Sequence, residues 1–218
     1  MARVIVVGGH GKVALQLARI LTEHGDEVSS VFRNPDHSDD VAATGAQPVV
    51  ADVEQLDTDA LAGLLAGHDA VVFSAGAGGG NPARTYAVDR DAAIRVMDAA
   101  AQAGVQRFVM VSYFGAGPDH VVPQDDPFFP YAEAKSAADA HLRASGLDWT
   151  VLGPGRLTLE PATGRIALGG RGKRTEKSEV SRADVALVVA AALADDSTIG
   201  RTIDFNNGDV PIAEALAD

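Results

Sequence analysis

The chain has no cysteine, a single tryptophan and only 5% aromatic residues in 218. The missing thiols exclude disulfides, thiolate-held metals and a cysteine nucleophile, and they give no sign of an oxidising compartment. Basic residues are also scarce. Against 30 aspartates and glutamates stand 18 lysines and arginines, for a formal charge of −12, and the four lysines are scattered. A field of that sign disfavours nucleic acid as a partner. It leaves room for a phosphate-bearing small molecule, which a local arginine and backbone amides can hold at short range. Long apolar runs are missing too: none nears the roughly 20 residues needed to cross a bilayer, and Val4 to Val7 meets glycine too soon to be a signal-peptide core. The expectation is a cytoplasmic protein that acts on a small molecule as a monomer or homodimer, with no membrane or nucleic-acid partner. The six histidines form no H-x-x-x-H or carboxylate-flanked cluster, so no metal site is expected.

What remains has the proportions of an ordinary globular chain, 46% hydrophobic and 22% charged, with length for one core; residues 1–218 read as a single domain. Val4 to Val7 is a β-branched run ending at Gly8, and Val13, Leu17, Ile20 and Leu21 follow at helical spacing. Further strands are predicted at Val28 to Phe32, Pro48 to Val53, Ala70 to Phe73, Phe108 to Val111, Trp149 to Leu152 and Thr202 to Phe205. Helical stretches lie near Asp57 to Leu65, Tyr86 to Ala103 and Tyr131 to Ala144, and Ser181 with Asp184 opens another over Val185 to Leu193. Continuous apolar strands alternating with helices predict a doubly wound parallel sheet, a Rossmann-type α/β/α sandwich. Pro154 to Ser178, rich in Gly, Pro, Arg and Lys, reads as a surface excursion over the sheet edge that covers the substrate side.

Gly8-Gly9-His10-Gly11-Lys12-Val13-Ala14 has the pattern G-x-x-G-x-x-A between the first strand and the first helix. In that context Gly8 permits a sharp turn, Gly11 lets backbone approach a pyrophosphate and Ala14 lets the helix pack on the sheet. The amides around Lys12 and Val13 then point at the anion, and the helix dipole assists them. His10 contributes backbone here; as a catalytic base it has nothing nearby to orient it. At the end of the second strand, where an NAD site usually carries an acid for the ribose 2′-hydroxyl, this chain has Arg33. A guanidinium suits a 2′-phosphate, so NADP is favoured over NAD, the alternative being a solvated arginine at a strand end. Asp52 and Val53, ending the third strand, are placed to flank the adenine, and Ser74-Ala75-Gly76, ending the fourth, to let the cofactor pass close to backbone.

These residues, with Tyr131-Ala-Glu-Ala-Lys135, Arg107 to Ser112, Gly146 to Gly155 and Ser181 to Val185, resemble the atypical short-chain dehydrogenase/reductase superfamily. The likeness is to its small NAD(P)H-binding members, similar to NmrA-like and flavin-reductase-like proteins and related to the NAD-dependent epimerase/dehydratases. The resemblance implies that Tyr131 and Lys135 form the Y-x-x-x-K pair, the tyrosine handling a proton and the lysine also holding the nicotinamide ribose. Residues four apart share a helical face, so an ammonium there can favour the phenolate. The chain departs from the family twice. Ser112 is followed by Tyr113 where relatives often end the fifth strand in two small hydroxyl residues, leaving open which of the two takes the hydroxyl role. Gly153 stands where many relatives place an arginine. The expected function is an NADPH-dependent oxidoreductase reducing a small carbonyl, quinone or flavin-like acceptor; the alternative is a non-catalytic NADP-binding redox sensor of NmrA-like type.

Overall fold

A computed structural model describes residues 1–78, 81–169 and 179–217. The chain begins with β1 (Arg3–Val7), α1 (Lys12–Glu23) and β2 (Glu27–Phe32), then α2 (Ser38–Ala42), β3 (Gln47–Val50), α3 (Thr58–Leu65) and β4 (Ala70–Phe73). A continuous helical column follows: α4 (Pro82–Thr85), a π-helical segment Tyr86–Ala92, and α5 (Ala93–Ala103). After β5 (Arg107–Val111) come α6 (Phe129–Ala144), β6 (Asp148–Pro154), β7 (Arg156–Thr158), β8 (Arg165–Leu168) and β9 (Glu179–Ser181). The chain ends with α7 (Arg182–Ala194), β10 (Arg201–Asn207), β11 (Val210–Pro211) and α8 (Ile212–Ala217).

The main sheet has the order β11-β8-β10-β6-β5-β4-β1-β2-β3. From β3 to β10 every pairing is parallel, so the sheet is the Rossmann-like three-layer sandwich predicted by the apolar runs. Alternation explains why β1 is apolar from Val4 to Val7. Val4 and Val6 join one core with α1, α7 and α8, while Ile5 and Val7 join the other with α3, α5 and α6. Both faces are dry, and a polar residue in β1 would lack a partner on either side. Among the described residues no helix is long and apolar enough to cross a membrane.

Several predicted boundaries move. Strand β3 ends at Val50, so Asp52 and Val53 lie in the turn beyond it, where Asp52 Oδ1 accepts from the Glu54 amide at 3.0 Å. The helical column starts at Pro82, four residues before Tyr86, because Asn81 caps it and Pro82 fits the first turn. The larger correction concerns Pro154 to Ser178. Part of that stretch enters the sheet: β8 pairs antiparallel with β10 and β11 and buries Ile166 completely. Four residues between glycines and arginines leave too little alternation to be legible as a strand. β7 pairs with β9 in a separate two-stranded sheet, and residues 170–178 of the predicted excursion lie outside the described residues.

Asp184 ties this region together. It is wholly buried, and its carboxylate accepts from the Thr163 amide (3.0 Å), the Gly164 amide (2.8 Å), Thr163 Oγ1 (3.1 Å) and Ser181 Oγ (2.9 Å), while its own amide donates to Ser181 Oγ at the start of α7. Asp184→Ala is expected to lower the unfolding free energy by about 3 kcal/mol, since two amides and two hydroxyls lose a charged acceptor. Ser181→Ala, which removes the cap, should cost about 1 kcal/mol. Urea unfolding followed by circular dichroism checks both; equal losses would show that the carboxylate serves only the cap.

Candidate active site

Four residues, Gly8 to Gly11, carry the chain from β1 into α1. Gly8 sits at φ +87°, and a Cβ there would lie 2.6 Å from the Ala75 backbone at the end of β4. A Cβ on Gly9 would lie 2.5 Å from Ser30 Cβ and 2.9 Å from its backbone in β2. Both amides donate to the Val31 carbonyl, at 3.0 and 2.8 Å. Gly11 differs. Its φ of −62° suits any residue, and the nearest atom to an added Cβ is the Gly8 carbonyl oxygen at 3.1 Å. Gly8 and Gly9 thus hold the turn against two neighbouring strands, whereas a Cβ on Gly11 would press only on the turn's own Gly8 carbonyl. Helix α1 has neither a capping side chain nor an acid in its first turn. Its first amides, at Lys12 and Val13, are left for an anion.

A cleft of about 870 Å³ runs along the carboxyl ends of the strands. It gathers Gly8, His10, Gly11, Lys12 and Val13 from the turn, Arg33 after β2, Asp52 and Val53 after β3, and Ser74, Ala75 and Gly76 after β4. At its far end it meets Ser112, Tyr131, Leu157 and Arg182. Arg33 is half exposed and lies 3.6 Å from Glu54, which Arg84 also approaches at 3.1 Å. Two guanidiniums thus share one carboxylate. His10 hydrogen-bonds Asp40 at 2.9 Å and stacks on His37 with ring centroids 3.6 Å apart. That engagement places its ring on the wall beside Arg33, away from Ser112 and Tyr131.

At the far end β5 alternation matters. Ser112 lines the cleft, whereas Tyr113 packs its ring against Phe128 and Tyr131, with centroids 5.2 and 5.7 Å away. Burial, with the charges of Asp139, Asp204 and Glu133, pushes the Tyr113 phenol up to about 12. Tyr131 lines the cleft too, and its phenol is pushed well above the ordinary tyrosine value by burial first and then by Asp89, Asp139 and Tyr113. Lys135 departs from what the resemblance implies. It does not line the cleft: it is 1% exposed, with Nζ 3.5 Å from Met110 Sδ and 5.7 Å from the Phe73 ring centroid. Burial lowers its pKa, and Asp89 and Asp139 partly restore it. Lys135 is thus buried behind the cleft lining, under the Coulombic influence of two buried acids. The space left by Gly153 is filled by the Asp204 carboxylate, which would collide with any Cβ there.

A family model described as NAD(P)H-binding matches residues 8–196, from the glycine turn through α7. The chain belongs to this NAD(P)H-binding family. An uncharacterised sugar epimerase of Bacillus subtilis (strain 168), YhfK, is 36% identical over 216 residues, with 98% of each chain covered. Among solved structures, a Bacillus halodurans protein provisionally named an NAD-dependent epimerase/dehydratase superposes with a TM-score of 0.91 at 35% identity, covering 100% of this chain and 99% of the other. The oxidoreductase YlbE of Lactococcus lactis superposes at 0.86 with 29% identity, covering 99% and 95%.

For an NAD(P)H-binding protein the turn has the right fit. Gly11 presents backbone without a side chain beside the uncapped first turn of α1, and Gly76 lets the β4 loop lie flat against Asp89, whose Oδ1 would be 3.3 Å from a Cβ at that position. Sequence reasoning missed Gly9, Glu54, Arg84, Asp89, Asp139 and Arg182. Most come from separate elements and share no local spacing. Asp139 was legible in principle, because Tyr131, Lys135 and Asp139 recur every four residues along one face of α6.

The two kinds of glycine predict two phenotypes. Gly9→Ala should destabilise the fold by about 1 to 3 kcal/mol, since β2 backbone must move to admit one methyl. Gly11→Val should destabilise the fold less than Gly9→Ala, since its Cβ presses only on the Gly8 carbonyl, while weakening NADPH binding at least about tenfold, its branches occupying the pyrophosphate's place. Thermal melts beside fluorescence titration with NADPH check both; equal destabilisation by the two would make the whole turn structural.

Proposed function

We propose that the chain is an NADPH-dependent reductase that delivers a hydride to a small carbonyl, quinone or flavin-like acceptor. The observation that carries this reading is that Ser112 and Tyr131 share one cleft with the phosphate-binding turn, at the end away from Arg33. When bound there, NADPH supplies the hydride. The chain's own groups do the rest. The α1 amides hold the pyrophosphate, and Arg33, with a second guanidinium on Arg84 sharing its carboxylate, leaves net positive charge for a 2′-phosphate. Tyr131, kept protonated by its surroundings, serves as a hydrogen-bond donor to the acceptor's oxygen as negative charge develops on it. Its ring and Leu157 give a flat acceptor an apolar surface.

A second reading, a sensor that binds NADP without turnover, is favoured by one observation, the withdrawal of Lys135 from the cleft. Kinetics separate the two. Steady NADPH oxidation with 9,10-phenanthrenequinone or FMN supports the reductase; tight NADPH binding with no oxidation by quinones, flavins or aldehydes supports the sensor.

NADP is expected to bind more tightly than NAD by about ten- to a hundredfold, the worth of one charged hydrogen-bonded contact, and Arg33→Ala should erase most of that margin. Calorimetric titration with both cofactors decides it; equal affinities in the wild-type protein would mean that Glu54 fully occupies Arg33. Tyr131→Phe should leave NADPH binding intact and lower turnover by about a hundred- to a thousandfold. Near-normal oxidation by that variant would remove Tyr131 from the chemistry.

A further inference from the structure

Beneath the reacting end of the cleft lie two buried acids and one buried base. Asp89, from the π-helical segment, is 1% exposed, Asp139 on α6 is fully buried, and Lys135 sits among the same side chains. With both acids ionised the group would carry a net negative charge out of water, which is costly. One proton on an acid makes the group neutral. The hydrogen bonds select which acid holds it. Asp89 Oδ2 accepts from the Ala77 amide at 3.0 Å, and the Oδ1 atoms of both Asp89 and Asp139 have no hydrogen-bond partner among the described residues, so a proton on Asp89 meets no acceptor and only Asp139 Oδ2 has a hydroxyl beside it. Asp139 Oδ2 lies 2.6 Å from Ser112 Oγ. A hydroxyl both gives and takes, so this bond can run in either direction.

We propose that Asp139 is the proton store of the site and that it exchanges with the cleft through the Ser112 hydroxyl. The proposal rests on the reductase reading for its use, though not for its existence. When Asp139 is ionised, Ser112 donates to it and turns lone pairs to the cleft. When Asp139 is protonated, its acid hydrogen goes to Ser112 Oγ and the serine hydrogen is free for an acceptor. In reduction of a carbonyl, the carbon receives the hydride with its electron pair and the oxygen takes the Ser112 hydrogen. Ser112 takes the Asp139 proton in the same movement, and the new carboxylate faces the Lys135 ammonium. After product leaves, solvent returns a proton by the same path. Asp139 is thus a positioning and proton-storing residue, and Ser112 the one that touches substrate.

The surroundings agree. Burial raises both carboxyls above the usual range, opposed at Asp139 by Lys135, the Ser112 bond and Arg143 and at Asp89 by Lys135, the Ala77 amide and Arg84, so it is the Ser112 contact that singles out Asp139. Tyr131 from the cleft wall, Tyr113 packed behind it and Asp204 are the other titratable groups that feel Asp139, and Asp89 is coupled to it through Lys135. A tyrosine with its phenol pushed up is a poor proton source, so the arrangement leaves Tyr131 to donate a hydrogen bond and Asp139 to supply the proton.

Infrared spectra of the cofactor-free protein, titrated with pH, test the store directly. The wild-type chain should show a protonated carboxyl stretch that survives the pH range in which exposed aspartates ionise, that Asp139→Asn lacks and that shifts in Ser112→Ala. If the difference between wild type and Asp139→Asn shows only ionised carboxylate through that range, the proposal is overturned. Chemical denaturation gives the second readout. An acid raised in the folded state makes stability fall as pH climbs from the unfolded-state value through the folded one, and Asp139→Asn should flatten that fall; an unchanged slope would sink the store. With 9,10-phenanthrenequinone as the probe acceptor, Asp139→Asn and Ser112→Ala should each slow single-turnover NADPH oxidation about a hundredfold, with NADPH affinity unchanged and no further loss in the double variant. Losses that multiply would overturn the relay. If the wild type oxidised no NADPH at all, the reductase reading would fall, while the infrared titration would still decide the store.

Discussion

Everything at the cleft depends on one carbonyl oxygen. Val31 O, at the end of β2, accepts both the Gly8 and Gly9 amides, so the end of β1 is tied to β2 at the point where the chain must turn toward α1. The tie works only because neither glycine has a side chain: one turns its bare face to Ala75 beside β4, the other to Ser30 in β2. Three strand ends are thereby held closer than any larger residue would permit. The cleft, the orientation of α1 and the path of the loop after β4 all follow from that approach.

A second constraint is electrostatic. A chain with a formal charge of −12 places cations sparingly, and it uses them where a carboxylate or a phosphate needs them. Arg33 and Arg84 meet over Glu54 at one end of the cleft; Lys135, buried under the other, feels the charges of Asp89 and Asp139. The π-helical segment belongs to the second arrangement, because Asp89 lies within it and its carboxylate holds the Ala77 amide of the cleft loop. Wide helical turns of this kind are commonly found at functional sites, where they re-aim a side chain at some cost in regularity.

The parallel sheet and the glycine turn were legible because each is written locally. Ala70–Phe73 is bounded as its apolar run implies, and Arg107–Val111 is longer by one residue. Ser181 opening a helix was legible for the same reason, since a cap and its acceptor lie three residues apart. What escaped was long-range. Gly9 looks like filler in G-x-x-G-x-x-A until Ser30, 21 positions onward, is set against it. β8 is four residues that form a strand against partners 37 to 46 residues later in β10 and β11. Lys135 shows what a motif leaves out: spacing places it on the Tyr131 face of α6, and its full burial and the influence of Asp89, from a separate element, are visible only in the fold.

The margins of the sheet carry one more consequence. At one border runs β3, Gln47 to Val50, with Pro48 inside it; at the other runs β11, two residues long, ending in Pro211. Proline offers no amide hydrogen, so a foreign strand approaching either border finds a gap where its ladder would need a donor. A nine-stranded sheet with valine-rich members is a natural template for stacking copies edge to edge. Two pyrrolidine rings, neither of them part of the cleft lining, keep such a template from being read.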